Sequence, residues 1–390
     1  MKASRVVVLL HELSLTGAPR LTLDALEGIG AAGSVSIASL RGGPLIDSAR
    51  RLGPTVVLRQ VYLNQYLPRR LATDHAVLYE ALVAGSSRIR ARSQAARLRR
   101  WRPDLVYVAS CAALPLVRML RLSHTPLVLH VHELGSALAT YKRMFPELLP
   151  SAPNRYVAVS DGVANDLVDQ LGVSRGAITV VSNYVLASTP KPLPSSTRAD
   201  GEQLIVGGAG NPSWTKGIDL WLLAAREAVD RLGPDRLRFV WVGWRDNESG
   251  LQFKSMISRL GLDGVVELIP ETDRAQEHFA RFDIFAMASW EEAASLVVLE
   301  AMAMGIPVVC FAPTGGPSEE VGEAGVVIPE ISPRQMGDAI VDLARSPDKR
   351  RMMGAACADR ARDRYRRESW LSALAKVLDD AVTAPGSRGG

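Results

Sequence analysis

Two glutamates, Glu292 and Glu300, stand eight positions apart within the string Ser289-Trp-Glu-Glu-Ala-Ala-Ser-Leu-Val-Val-Leu-Glu-Ala-Met-Ala-Met-Gly-Ile-Pro-Val-Val-Cys310. On one continuous helix that spacing leaves them roughly 80° apart, since each residue advances about 100°. A better arrangement puts Glu292 in a loop, Ser295 as the cap of a helix, and Glu300 in that helix's second turn. Both carboxylates then lie near a helix N-terminus, whose free amides attract phosphate. Gly305 and Pro307 end the helix and lead into an apolar strand. Taken alone, the spacing serves a solvated loop acid and a helix-surface acid equally well. Three further residues have chemical potential and a plainer use beside it. His132 ends an apolar run and also suits a strand-end cap, Lys216 precedes a glycine as surface lysines often do, and Gly17 suits any tight turn.

The elements that must hold these residues are short apolar runs at Arg5–Leu10, Val35–Leu40, Thr55–Leu58, Leu105–Ala109, Leu127–Val131 and Tyr156–Ser160, separated by helical stretches such as Leu21–Ala31 and Ala76–Leu98. Nearly all-apolar strands alternating with helices predict parallel β-structure buried on both faces. The segment Thr189–Gly201 holds three prolines and no apolar periodicity, so it reads as a linker. A second series follows, with strands at Leu204–Gly208, Leu237–Val242, Val265–Leu268, Ile284–Ala288 and Val308–Phe311. Its helices fall at Leu220–Val229, Phe253–Leu260, Leu296–Met304, 333–346, 348–366 and 369–382. The expectation is an α/β protein of two Rossmann-like, doubly wound domains with a ligand cleft between them. Their bounds are 1–186, a linker at 187–202, and 203–369, with a last helix, 370–382, crossing back to the first domain.

Composition agrees with two globular domains. The chain has 390 residues, 47% of them hydrophobic and 22% charged, which excludes a disordered or collagen-like chain. Residues 1–186 carry 22 Lys/Arg against 12 Asp/Glu, whereas 187–390 carry 24 against 29, so a basic half faces a mildly acidic one. The three cysteines, Cys111, Cys310 and Cys357, are far apart and fit a reducing compartment better than a zinc site. The N-terminal apolar run is too short for a signal peptide, and Glu300 interrupts the longest apolar stretch, so a cytoplasmic protein is expected.

Glu-x7-Glu followed by Ala-Met-Ala-x-Gly-x-Pro-Val-Val resembles the signature of the retaining GT-B glycosyltransferases of family GT4. Matching segments occur in the family's order: Leu15-Thr-Gly-Ala-Pro-Arg20, Leu129-His-Val-His-Glu133, Val159-Ser-Asp-Gly162, Val180-Val-Ser-Asn183, Trp214-Thr-Lys-Gly-Ile-Asp219 and Thr314-Gly-Gly-Pro-Ser-Glu319. The resemblance spans roughly residues 5 to 370. It implies a metal-independent transferase that takes a sugar from a nucleotide-diphosphate sugar to a carbohydrate, glycolipid or small-molecule acceptor, in surface polysaccharide or glycolipid assembly. Under it Glu300 contacts the ribose and Glu292 the donor sugar, while Lys216 stabilises the departing diphosphate with amides near Gly17. Ser295, Leu296 and Val297 border the nucleotide, Ile269 lies within the base-binding stretch Val266–Pro270, and His132 reaches the sugar from the other domain. Glu292, His132 and Lys216 are the implied catalytic residues.

Three positions depart from the family's pattern. Gly210 stands where an arginine is usual, leaving Arg20 or Arg245 to replace it. Ala293-Ala294-Ser295 lacks the usual phenylalanine, and Thr16-Gly17 replaces a pair of glycines. No Asp-x-Asp, which holds a divalent cation in other transferase folds, occurs in the chain. The segment Arg88–Arg102 has seven arginines and no acid. It offers peripheral contact with an anionic membrane at the inner face, beside an anionic acceptor or a solvated helix face; no nucleic-acid partner is expected. The alternatives to a transferase are an epimerase or phosphorylase on the same fold, and a catalytically degenerate sugar- or nucleotide-binding protein. A dehydrogenase is disfavoured, because no Gly-x-Gly-x-x-Gly follows the first strand.

Overall fold

The computed structural model describes residues 5–30, 34–58, 96, 98, 100–120, 125–149, 153–186 and 202–383. The expected linker up to residue 201, nearly all of the helix Ala76–Leu98 and most of the basic segment Arg88–Arg102 lie outside the described residues.

The first half runs β1 (Val6–Leu10), α1 (Gly17–Gly28), β2 (Val35–Ser39), α2 (Ile46–Leu52), β3 (Thr55–Val57), β4 (Leu105–Val108), α3 (Leu114–Leu120), β5 (Leu127–Val131), α4 (Gly135–Met144), β6 (Arg155–Ala158), α5 (Asp161–Leu171) and β7 (Ile178–Val180). Its seven strands are ordered β3-β2-β1-β4-β5-β6-β7, and every pair is parallel. The second half runs β8 (Leu204–Ala209), α6 (Ile218–Leu232), β9 (Leu237–Trp244), α7 (Glu248–Arg259), β10 (Val266–Pro270), α8 (Ala275–Phe279), β11 (Ile284–Met287), α9 (Leu296–Ala303), β12 (Val308–Phe311), α10 (Gly316–Val321), β13 (Val326–Ile328), α11 (Pro333–Arg345), α12 (Pro347–Arg364) and α13 (Arg367–Thr383). Its six parallel strands are ordered β10-β9-β8-β11-β12-β13.

All five side chains of β1 and all four of β11 are buried, as parallel strands covered on both faces require. Each sheet accordingly has two apolar clusters, one per face. The strand order reverses between β1 and β4 in one sheet and between β8 and β11 in the other. Crevices open at such switch points, outside the carboxyl ends of the strands. The chain leaving β1 enters α1 at Gly17, and the chain leaving β11 enters α9 at Leu296. Both candidate-bearing helices therefore start at a switch point.

Helix α13 returns to the first sheet. Trp370, Leu374 and Leu378 are buried there in one cluster with Val6 and Tyr184. Arg367 Nε donates to Asp24 Oδ2 at 2.7 Å, and the Tyr184 hydroxyl donates to the same carboxylate. Each large apolar side chain buried this way contributes about 1.5–3 kcal/mol.

Two edge strands, β7 and β13, were not expected as strands; three residues each are too few to show a period. Helix α7 starts at Glu248 rather than Phe253. The Asn247 side chain accepts from Gly250 N at 2.8 Å and so adds a first turn whose residues are mostly polar.

Candidate active site

The loop 289–295, which carries Glu292, is fixed by backbone bonds to the turn after β12. Glu292 N donates to Thr314 O at 2.8 Å, and Gly316 N donates to Glu292 O at 2.9 Å. Gly315 makes this possible. Its φ is +113°, and a Cβ there would lie 2.5 Å from the Glu292 carbonyl oxygen. Lys216 sits in a single 3-10 turn, Trp214–Lys216, that ends at Gly217. Gly217 has φ +58°, and a Cβ on it would lie 1.9 Å from Ala288 O, so no other residue fits against the end of β11.

Those two loops bring Lys216 Nζ against Glu292 Oε2 in a direct ion pair, and Ser289 Oγ donates to the same oxygen at 3.3 Å. The lysine side chain is 26% exposed and the glutamate 11%, so the pair is partly screened from water. The stem of Lys216 lies over Gly210, where an added Cβ would stand 3.2 Å from Lys216 Cδ.

Glu300 is 4% exposed in the second turn of α9. Its Oε1 accepts from Gln276 Nε2 at 3.2 Å and faces Arg20 Nη1 at 3.9 Å. Burial pushes its carboxyl upward in pKa, and Arg20 pulls it partly back. Arg20 belongs to α1, so this contact crosses between the halves. A second crossing lies beside it: a Cβ on Gly17 would come within 3.3 Å of Leu296 Cδ1. The first turns of α1 and α9 thus abut, with Gly17 leaving room between them.

His132 follows β5 directly. Its Nε2 is enclosed without a hydrogen-bond partner, and its ring lies 4.2 Å from that of His130. Burial, followed by the charge of His11, pushes its pKa down to about 3, so the ring is neutral at neutral pH. His130 is held behind it by the Tyr107 hydroxyl, 2.6 Å from Nδ1. Ile269 is half-buried near the end of β10, opposite Val242, with a register shift after it. Among the described residues no hydrogen bond or ion pair joins His132 or Ile269 to the Lys216–Glu292 pair.

The Ser295 expectation needs correction. Ser295 holds the position just before α9, and Leu299 N donates to its carbonyl at 3.1 Å, but its hydroxyl makes no capping bond. Instead Ser295 N donates to Glu320 Oε1 at 2.8 Å. Glu320 is fully enclosed, and burial raises its pKa well above the usual carboxylate range. The amides of Leu296 and Val297 lie one and two positions further along, in the first turn of α9.

Two glutamates overlooked in the sequence bridge the halves. Glu291 accepts from Ser136 N at 3.2 Å and from Ser136 Oγ at 2.7 Å, at the start of α4. Glu319 accepts from Asp161 N at 2.9 Å and Gly162 N at 2.8 Å, at the start of α5. Each carboxylate caps a helix N-terminus of the other half, where the positive end of the dipole favours it. Glu319 falls in a segment already singled out for its glycines, which was the available signal. Beside the α4 contact opens a cavity of about 480 Å³, lined by His11, Arg41, Ser136, Thr140, Tyr141 and Met144 among others.

The family model described as Glycosyltransferase Family 4 matches residues 17–186, and that described as Glycosyl transferases group 1 matches residues 202–346. A D-inositol 3-phosphate glycosyltransferase of Kineococcus radiotolerans is 31% identical over 235 residues, 54% of this chain and 53% of the relative. The chain spans about half the length of the curated relatives it matches. Among solved structures, Anabaena HepE in complex with UDP-glucose has a TM-score of 0.75 at 18% identity, covering 96% of this chain and 99% of that one. WaaG, a glycosyltransferase involved in lipopolysaccharide biosynthesis, has a TM-score of 0.68 at 16% identity, covering 96% and 99%. At such identities these structures share the fold.

Proposed function

This chain belongs to glycosyltransferase family 4, group 1, with the GT-B fold, and on that premise we propose that it moves a sugar from a nucleotide-diphosphate sugar to an acceptor, with retention at the anomeric carbon. The observation that carries the reading is the ion pair of Lys216 with Glu292 beside the start of α9, with buried Glu300 one turn further on.

Glu300 would accept hydroxyls of the ribose, with Gln276 holding its orientation. The base would lie along Val266–Pro270 with Ile269 among the contacts. The diphosphate would meet the amides of Leu296 and Val297 and the Lys216 ammonium, which stabilises negative charge as the bond to the sugar breaks. Lys216 then turns from Glu292 to phosphate, freeing Glu292 for the sugar hydroxyls. His132, neutral and with Nε2 unpartnered, would reach the sugar from the first half. The carbon–oxygen bond to the diphosphate breaks, a bond to the acceptor oxygen forms, and the acceptor's proton leaves with the nucleoside diphosphate. On this reading the amides and Lys216 would meet charge on the leaving diphosphate without a divalent cation.

The acceptor would bind on the basic first half, in the cavity beside Ser136. Surface polysaccharide or glycolipid assembly is the setting this suits, at the cytoplasmic face of a membrane. Among the described residues no helix is long and apolar enough to cross one. The test is nucleoside diphosphate release from a panel of nucleotide sugars, with and without candidate acceptors, and the anomeric coupling constant of the product. Acceptor-dependent release with the donor's configuration kept is expected, and Lys216→Ala should lower kcat roughly 100- to 1,000-fold. Inversion would overturn the retaining assignment, and a Lys216→Ala enzyme at wild-type rate would overturn the role of that lysine.

A further inference from the structure

Resting on that donor reading, we propose that Arg20 is a donor-binding residue. Its guanidinium, carried by the first half, leaves Glu300 to pair with the diphosphate of the donor held on the second half. Arg20 is the fourth residue of α1, and helical side chains lean toward the N-terminus of their own helix. It therefore reaches back over the first turn, to the place where Gly17 abuts Leu296 at the start of α9.

The contact it makes there is incomplete. Arg20 Nη1 stands 3.9 Å from Glu300 Oε1, whereas a charge-assisted hydrogen bond to a carboxylate spans about 2.7–2.9 Å. The Arg20 side chain is 30% exposed, which leaves it room to turn. Oxygens of a diphosphate at the α9 amides would complete the fork that Glu300 leaves open.

Charge at the site calls for it. Lys216 is matched by Glu292, and Glu300 adds a further carboxylate, so without Arg20 these side chains sum to one negative charge. A diphosphate entering there would meet net repulsion; with Arg20 the sum is zero. The other arginine considered, Arg245, is already committed. Its Nε and Nη2 each donate to Glu271 at 2.7 Å, a bidentate pair beyond the edge strand β10. Gly210, on the near side of Lys216, offers no side chain at all. A diphosphate held by Lys216 from one half and Arg20 from the other would also draw the halves together, so donor binding and closure become one event.

Calorimetric titration of wild type, Arg20→Ala, Arg20→Lys and Glu300→Ala decides this, using whichever of UDP, GDP, ADP, dTDP and CDP binds wild type, together with the matching nucleoside. Arg20→Ala should weaken the diphosphate roughly 10- to 100-fold while changing the nucleoside less than about twofold, and Arg20→Lys should fall between. Glu300→Ala should weaken diphosphate and nucleoside alike. An Arg20→Ala protein that keeps wild-type affinity for the diphosphate, or loses both ligands equally, overturns the assignment. Wild type that binds none of the five diphosphates overturns the donor reading, and this assignment with it.

Discussion

Burial sets the direction in which His132, Glu300 and Glu320 are shifted. His132 is pushed down to about 3, whereas in the unfolded chain a histidine stays near pKa 6.5. Its folded value is depressed, so its contribution is fully present above pH 6.5 and is lost as pH falls toward 3. In that window the unfolded chain binds a proton that the folded protein refuses, which costs up to about 1.4 kcal/mol per pH unit. Glu300 and Glu320 are shifted the other way and favour the folded state as pH falls. The histidine's share therefore shows as the difference between wild type and His132→Gln. Denaturant unfolding from pH 7 to pH 4 should find the variant gaining on wild type with acidification; parallel curves would contradict the buried, neutral ring. Glu292, Glu300 and Lys216 could be read from the chain because each lies in a compact local string. Glu320 and Glu319 could not, since their partners stand 25 and 158 residues away.

Helix ends carry much of what joins the halves. Glu291 caps α4 and Glu319 caps α5, each from the other half. Loss of a helix cap costs about 0.5–2 kcal/mol. The double variant Glu291→Ala, Glu319→Ala should lower the melting temperature by several degrees. It should also enlarge the radius of gyration measured by solution scattering, as the halves part more readily. Scattering curves that superimpose on wild type would show that these carboxylates do not hold the halves together. Strands such as β1, β4, β5 and β11 were legible because burial on both faces makes them apolar throughout. Helices α4 and α10 were not, since only Leu138 is buried along α4 and α10 spans only six residues. Helix α5 starts on a Ser160 hydroxyl that accepts from Val163 N at 3.2 Å. That serine was in view only as the end of the apolar run Tyr156–Ser160 and within a family string.

At the scale of the molecule, two sheets present their switch points to each other, and the groups proposed to act on the donor come from both. Lys216, Glu292 and Glu300 belong to the second half; Gly17, Arg20 and His132 belong to the first. The two-sheet plan followed from strand and helix periods. The contact of α1 with α9 did not, because nothing in either helix alone specifies which surface it will meet. We propose that the donor bridges the two halves and draws them together. The most direct test of that account is a thermal-shift panel with UDP, GDP, ADP, dTDP and CDP, each with and without EDTA, on wild type and Glu300→Ala. One diphosphate should raise the melting temperature of wild type equally in both conditions, and that rise should vanish in the variant. A shift abolished by EDTA would contradict the metal-free site, and no shift with any diphosphate would contradict the donor site itself.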